Sequence, residues 1–445
     1  MEKIYLSQLL KDIAIPMEDC VVSSVVVDSR KVEKDSVFLA IRGERVNGED
    51  YAAKAIEMGA CYVLTENMID DVPAHKQAIV PNILNASIQL GANHRDLFNL
   101  EVIGVTGSVG KTSTKDFVYT ALSPFAQTVR SLGNHNNEIG MPQTIFGFNH
   151  SDKYAILEMG MDDIGDVHKL SCAAKPKYAV ISCIVVSHLE KLGSQENILK
   201  AKMEMCDGMD KDGVLVLNGD DKFLKSVKVE NPLNVKYFAI ENKDADVTAK
   251  NIVSKGFGTE FTICDKVHGE IQCTIPVVGN HNVMNALSAY TVVTAMGFDP
   301  VQTAKNLADY VPSGMRGKVV EKDGITFIED CYNASPDSMR AAVNTVCTVA
   351  KGRKICVFGD MLELGEDTDA MHFSVGEYAK ANGVNIMLCY GDKAQFIAQG
   401  FGAGQLFGSK DALADYLKTI LQQGDAVIFK ASRGMKFEEI IEKVY

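Results

Sequence analysis

The sequence predicts an α/β fold in three domains. These are a central parallel-sheet domain with an antiparallel extension, a C-terminal Rossmann-like domain and an N-terminal mixed α/β domain. Three observations lead there. The 445 residues are too many for one hydrophobic core. From about residue 99 onward, short β-branched apolar runs alternate with amphipathic ones, which is how a parallel sheet covered by helices reads. The alternation breaks between 234 and 278, then restarts past 312 with a new set of strands.

Taken in order, "SSVVVDSR" and "DSVFLAI" read as strands and "YAAKAIEMGA" as a helix, which gives the mixed domain 1–98. "EVIGVTG" is a buried strand and "KTSTKDFVYTAL" a helix. "KYAILEMG", "KYAVISCIVVSH" and "GVLVLNGDD" are further strands, and "ENILKAKMEMCDGM" is a helix. The stretch 234–278 has strand-like runs and no clear helix, which suggests the antiparallel extension. "NHNVMNALSAYTVVTAMG" and "PVQTAKNLADY" then close the central domain, 99–312, as helices. In 313–445 the strands are "GITFIEDC", "KICVFGDM", "NIMLCYG" and "DAVIFKAS", with "SPDSMRAAVNTV" and "DALADYLKTIL" as helices between them. That is the Rossmann-like pattern.

Composition narrows the function classes. With 46% apolar and 23% charged residues the chain is an ordinary globular protein, and its net charge of −13 argues against nucleic acid or an anionic membrane surface as main partner. The 11 cysteines are scattered with no C-x-x-C pair, so neither a zinc site nor a redox motif is indicated. Free thiols fit a reducing compartment. "MEKIYLSQLLKDI" reads as an amphipathic start rather than a signal peptide. No apolar run approaches the roughly 18 residues of a membrane span. The expectation is a cytoplasmic protein with no membrane span.

The chemistry centres on "GVTGSVGKTSTK", 104–115. The common phosphate loop is G-x-x-x-x-G-K-[ST]. Counting back from Gly110, its first glycine would fall on Val105, whereas the glycines are Gly104, Gly107 and Gly110. The shorter T-G-x-x-G-K-T form keeps the working parts. Glycines let backbone N–H groups face phosphate oxygens, the helix start adds its positive end, Lys111 reaches the terminal phosphates, and Thr112 offers a hydroxyl to Mg²⁺.

Thr106, Gly107, Gly110, Lys111 and Thr112 resemble the loop of the Mur ligases and folylpolyglutamate synthases, which join an amine to a carboxylate with ATP. Further stretches resemble Mur ligases in order along the chain: "DSRKVEKDSVFLAIRGE", "GNHNNEIGMP", "LEMGM", "SHLEKLGS", "GNHNVMNALSA", "MRGK", "EDCYNASPDSM", "FGDMLELGE" and "KASRGMKFEEI". Within the family, "YNASPDSM" and "GDMLELGE" look most like the member that takes UDP-MurNAc-tripeptide and D-Ala-D-Ala. The alternatives are a sibling ligase adding the third residue, a folate ligase, or a non-catalytic ATP-binding protein. A third-residue enzyme should carry D-[ND]-P-[RN], which is missing here, and a folate enzyme should lack the first motif.

The resemblance assigns roles residue by residue. Thr106, Gly107, Ser108, Val109, Gly110, Lys111, Thr112 and Ser113 would hold the ATP phosphates. Asn282 and Asn285 would approach ATP, with His281 beside the adenine, although N-capping by Asn280 or Asn282 is the simpler reading. Arg316, just past a domain boundary, would swing onto the γ-phosphate, and Asp330 would hold the ribose. Asn333, Ser335, Lys430, Ser432 and Arg433 would meet the dipeptide, with turn and cap roles as the alternative. Asn134, Asn137 and Glu138 would meet the sugar or peptide. Ser29, Arg30, Gly43 and Glu44 would meet the uridine nucleotide.

Two Mg²⁺ ions are implied, on Thr112, Glu158, His188 and Lys202. From the residues alone, Glu158 is either a solvated strand-end charge or a cation ligand, and His188 is structural or a ligand. Lys202 is the odd residue of its helix. At 3.6 residues per turn it shares the apolar face with Ile198, Met205 and Met209, while Lys200 is placed to pair with Glu196 and Glu204. Either its ammonium snorkels out, or burial lowers its pKa. The family resemblance favours a neutral amine carbamylated by CO₂. The catalytic set is then Lys111, Glu158, His188, Lys202 and Arg316, in a chain expected to be monomeric.

Overall fold

The computed structural model describes residues 1–43, 46–186, 189–229 and 233–445. Its centre is a nine-stranded sheet. The strand order is Gly269–Ile275, Gly258–Asp265, Val247–Lys255, Asn234–Ala239, Val214–Asn218, Tyr178–Ile181, Glu101–Thr106, Tyr154–Glu158 and Thr128–Arg130. Neighbours pair in parallel from Val247–Lys255 through to Thr128–Arg130. Only the two hairpin pairs at the opposite edge are antiparallel. The antiparallel extension therefore exists but starts later than residue 234, because Asn234–Ala239 still pairs in parallel with Val214–Asn218.

The chain order reverses around Glu101–Thr106. The next two strands lie on one side of it and the later ones on the other. Such a switch point opens a crevice at the carboxyl end of the strands, and the glycine loop leaves there. The helix Lys111–Leu122 that follows packs Phe117, Val118, Ala121 and Leu122 into a core shared with the helix Asn280–Ala295. Phe117, Val118 and Leu122 each contribute roughly 1.5–3 kcal/mol on burial, so the helix, and with it the loop, is held firmly.

The C-terminal unit is a six-stranded sheet, ordered Lys318–Lys322, Ile325–Glu329, Ala426–Lys430, Lys354–Gly359, Ile386–Tyr390, Gln405–Phe407. It is parallel except for its first hairpin. The N-terminal unit has four parallel strands, Ser24–Val26, Ser36–Leu39, Ala60–Thr65 and Gln77–Ile79, beside a small antiparallel ribbon of Ile4–Tyr5 and Val21–Val22. The three cores interlock. The helix Ile83–Arg95 gives Ile83, Ala86 and Leu90 to the N-terminal core and Ile88 to the central one. Val278 of the central unit is buried in the C-terminal core.

Two local expectations change. The strand read over 177–188 ends at Ile181. Beyond it Ser182 donates its hydroxyl to Val109 O (2.6 Å) and Val185 donates its N–H to Ser108 Oγ (3.1 Å). The segment is drawn off the sheet to brace the glycine loop. The helix of Lys202 runs Gln195–Met203 and tightens to a 3₁₀ turn over Glu204–Gly208. Its apolar face is as read, but Glu204 does not pair with Lys200. It accepts the N–H groups of Gly165 (2.8 Å) and His168 (3.1 Å) at the start of the helix Asp166–Ala174.

Candidate active site

The three glycines of the loop have separate jobs. Gly107 and Gly110 take left-handed φ values of 146° and 82°. A side chain on Gly107 would meet Ser182 Oγ at 2.0 Å, and one on Gly110 would meet Asn285 Oδ1 at 3.0 Å. Gly104 lies in the strand, where a Cβ would strike Met205 Sδ at 2.7 Å. The unusual spacing is thus a two-glycine loop preceded by a packing glycine. Lys111 folds over the loop and donates to Gly107 O (2.8 Å) and Ser108 O (3.2 Å). Desolvation lowers its pKa, against the opposing pull of Glu158. Thr106 is turned away, its hydroxyl donating to Met159 O at 2.8 Å.

Glu158 ends its strand almost fully buried. Its Oε2 accepts from Thr112 Oγ1 (2.8 Å), its Oε1 accepts from Asn136 Nδ2 (2.8 Å), and Lys115 Nζ stands 3.6 Å from Oε2. The carboxylate and the Thr112 hydroxyl are hard oxygen donors side by side, which suits Mg²⁺. Lys202 is 1% exposed, and no hydrogen bond or ion pair is found for its ammonium among the described residues. Burial pushes its pKa well below the ordinary value, and Lys111 adds to the effect. Of the two readings of this lysine, the snorkelling one fails. His188 lies outside the described residues. Among those described, no group of three or more His, Cys, Asp or Glu side chains could hold a metal ion.

A cavity of about 670 Å³ separates this edge from the C-terminal unit. Loop residues Ser108–Ser113 and Glu158 line one wall, and Arg316, Asp330, Tyr332, Asn333 and Ser335 line the other. Arg316 stacks its guanidinium over Tyr332, 3.7 Å from the ring centre. Asp330 is already paired, since Lys430 Nζ lies 2.7 Å from its Oδ2 and also donates to Asn333 O (3.0 Å). Ser335 caps the helix Pro336–Val349 in a capping box with Ser338.

Asn134, Asn137 and Glu138 line the cavity from the central unit. Asn137 is partly committed, accepting the Gly140 N–H at 2.9 Å, and Glu138 meets Lys169 at 3.3 Å. His281, Asn282 and Asn285 also line it. Neither Asn280 nor Asn282 caps its helix. Gly279 stands at the cap, and Asn282 donates back to Val278 O at 2.9 Å.

Eight predicted residues do not line the cavity, Thr106, Gly107 and Lys202 among them, and Glu44 and His188 are not described. Ser29, Arg30 and Gly43 belong to the N-terminal unit and do not line it, with Arg30 tied to Asp28 at 2.8 Å. Glu44 lies outside the described residues. Ser432 spends its hydroxyl on the Leu362 N–H (2.9 Å), and Arg433 pairs with Glu438 (2.8 Å). Three residues not singled out from the sequence matter here: Asn136 on Glu158, Tyr332 under Arg316, and Lys115 behind Glu158. Asn136 and Tyr332 sat inside quoted motifs, but nothing in their spacing told which of several neighbours would turn inward.

A phosphate loop and a buried acid facing an arginine across a domain junction describe an ATP-dependent ligase. The comparisons agree with that architecture. Family models match in three blocks: the Mur ligase family catalytic domain over 21–93, the Mur ligase middle domain over 105–293, and the Mur ligase glutamate ligase domain over 315–433. The chain belongs to the Mur ligase family. Among its relatives is the UDP-N-acetylmuramoyl-tripeptide–D-alanyl-D-alanine ligase of Bacillus subtilis, 36% identical over 96% of this chain and 93% of that protein. The Escherichia coli protein of the same name is 32% identical over 95% and 94%. A crystal structure of MurF from Acinetobacter baumannii superposes with a TM-score of 0.91 at 28% identity, covering 100% and 99% of the two chains. MurF from Thermotoga maritima in complex with ADP superposes at 0.85 and 26% identity, covering 95% and 97%.

Proposed function

We infer that this chain is an ATP-dependent ligase that joins D-Ala-D-Ala to UDP-MurNAc-tripeptide in peptidoglycan precursor synthesis, releasing ADP and phosphate. The observation that carries the reading is the single cavity in which Lys111, Thr112 and Glu158 face Arg316 and Asp330. A carboxylate is a poor electrophile. Its oxygen attacks the γ-phosphorus, the bond to the β–γ bridging oxygen breaks, ADP leaves, and an acyl phosphate forms. The dipeptide amine then attacks that carbonyl, and phosphate leaves. Lys111 and Arg316 are placed on opposite walls to offset the charge gathering on the phosphoryl oxygens.

Mg²⁺, when bound, supplies further positive charge to those oxygens. Thr112 and Glu158 suit one ion. For the second we assign Glu158, the family-motif His188 and Lys202 as a carbamate. Its neutral Nζ attacks the carbon of CO₂, a C–N bond forms as one C=O π bond opens, and a proton leaves, which turns a buried neutral amine into an anionic ligand. Asn282, Asn285 and Asp330 are assigned to the nucleoside of ATP, and Ser108–Ser113 with Gly107 to its phosphates. Asn333 and Ser335 are assigned to the dipeptide, with Lys430 acting by holding Asp330. Asn134, Asn137 and Glu138 are assigned to the muramyl peptide, and Ser29, Arg30, Gly43 and Glu44 to the uridine end. The working division is 1–98, 99–312 and 313–445, in a cytoplasmic monomer. No described helix is long and apolar enough to cross a membrane.

The test is mass spectrometry of the products. ATP, Mg²⁺ and UDP-MurNAc-tripeptide should give the pentapeptide only when D-Ala-D-Ala is added. Extension of a dipeptide precursor by a single amino acid instead would make the chain a sibling ligase.

A further inference from the structure

The segment that leads into Arg316 does not cross open space. It runs back along the phosphate-loop helix Lys111–Leu122, touching it at regular intervals. Asn306 Nδ2 donates to Ala121 O at 2.9 Å. Tyr310 stacks flat on Phe117, ring centres 3.6 Å apart at an interplanar angle of 6°. Ser313 Oγ donates to Asp116 Oδ2 at 2.5 Å. Three residues later Arg316 enters the cavity that Lys111 lines. The contacts climb one helix from its C-terminal end toward its first turn while the strap runs the opposite way.

Asp116 is a firm anchor. Its side chain is 2% exposed and is held by Arg130 Nη1 (3.0 Å) and Lys115 Nζ (3.7 Å). Arg130 is itself fixed over the Tyr119 ring at 4.0 Å. Past Ser313 the character of the chain changes. Gly314 and Gly317 take φ values of 61° and 77°, and neither would meet any atom within 4 Å if it carried a side chain. Gly314 is thus a pivot directly after the Ser313–Asp116 bond, and the arm beyond it carries Arg316 and joins the C-terminal unit at once, through Met315 against that unit's core, the Arg316–Tyr332 stack and the Gly317 N–H on Glu329 O (2.9 Å).

We propose that Ser313 and Asp116 are positioning residues, a clamp that fixes the root of the Arg316 arm on the same helix that begins with Lys111 and Thr112. Gly314, the point about which Arg316 and the C-terminal unit turn together, is then referred to the same rigid element as the loop. The clamp matters only through Arg316, so it rests on the reading of Arg316 given above.

The experiment is a double-mutant cycle of Ser313→Ala and Arg316→Ala, measured as the steady-state rate of pentapeptide formation. Ser313→Ala alone should lower kcat about tenfold, since small misplacements of a charge-stabilising group are costly, with the KM for ATP and the melting temperature unchanged. In the Arg316→Ala background, the same change should have no further effect on the residual rate. A Ser313→Ala variant with full kcat, or one whose loss is the same in both backgrounds, overturns the clamp while leaving the ligase reading intact. An Arg316→Ala variant with full activity overturns the assignment of Arg316, and the clamp with it.

Discussion

The two large sheets present their carboxyl ends to the same cavity, but they treat charge differently. In the C-terminal sheet the polar groups are matched within the protein. Lys430 holds Asp330 and the Asn333 carbonyl, Asp360 accepts the N–H groups of Lys393 and Ala394, and Ser432 takes the Leu362 N–H. In the central sheet, Lys202 has no ion pair among the described residues, Lys111 caps only its own loop, and Glu158 gathers a hydroxyl, an amide and a more distant ammonium. One edge is a finished surface. The other is a set of groups whose best partners are anions and cations from outside. The difference is what supports the proposed division of labour, with the phosphate and metal chemistry on the central edge and Arg316 brought to it from the other.

If that contrast is right, substitutions on the two edges should fail in different ways. Lys111→Ala should lower ligation about a thousandfold or more while the melting temperature holds. Equal loss of stability and activity would break the comparison. Lys202→Ala should lower activity about a hundredfold, with partial recovery in high bicarbonate or a short carboxylic acid. Full activity without rescue would end the carbamate assignment.

Lys202 also gives a pH signature. Its folded pKa is lowered from 10.5, so the unfolded chain binds a proton that the native one does not, and stability rises as pH climbs from the folded pKa toward that value. Lys202→Met should flatten this rise in denaturant titrations run without CO₂. On the other edge, Lys430→Met should cost about 2 kcal/mol by leaving Asp330 and a carbonyl without their donor, seen as a lower urea midpoint. Arg433→Ala breaks an exposed ion pair and should move stability by less than about 1 kcal/mol.

The fold was legible because its signals are local. A β-branched strand, a glycine loop and an amphipathic helix each announce themselves within a dozen residues, and "KTSTKDFVYTAL" matches the observed helix Lys111–Leu122 at both ends. Lys202 was legible for the same reason, a charge at an apolar position of one helix. What escaped depends on contacts between distant segments. No spacing rule brings Asn136 to Glu158, or sets Tyr332 beneath Arg316. Glu204 looked like a helix partner for Lys200 because i±4 pairing is local, and it lost to the unpaired N–H groups of another helix start, which bind a carboxylate more strongly. The stretch "SCIVV" carried strand-forming residues, but the neighbouring loop's need for hydrogen-bond partners pulled it off the sheet.

Gly104 looked at first like a misplaced member of the loop. Its bare α-carbon lets Met205 settle directly onto the strand, and Lys202 stands three residues earlier on that chain. Adding one methyl group here meets only the end of a flexible thioether, which can swing aside and leave the backbone and the buried amine where they are. The same methyl on Gly107 or Gly110 would face a left-handed backbone as well as a neighbour, so tolerance should end abruptly where the strand gives way to the loop.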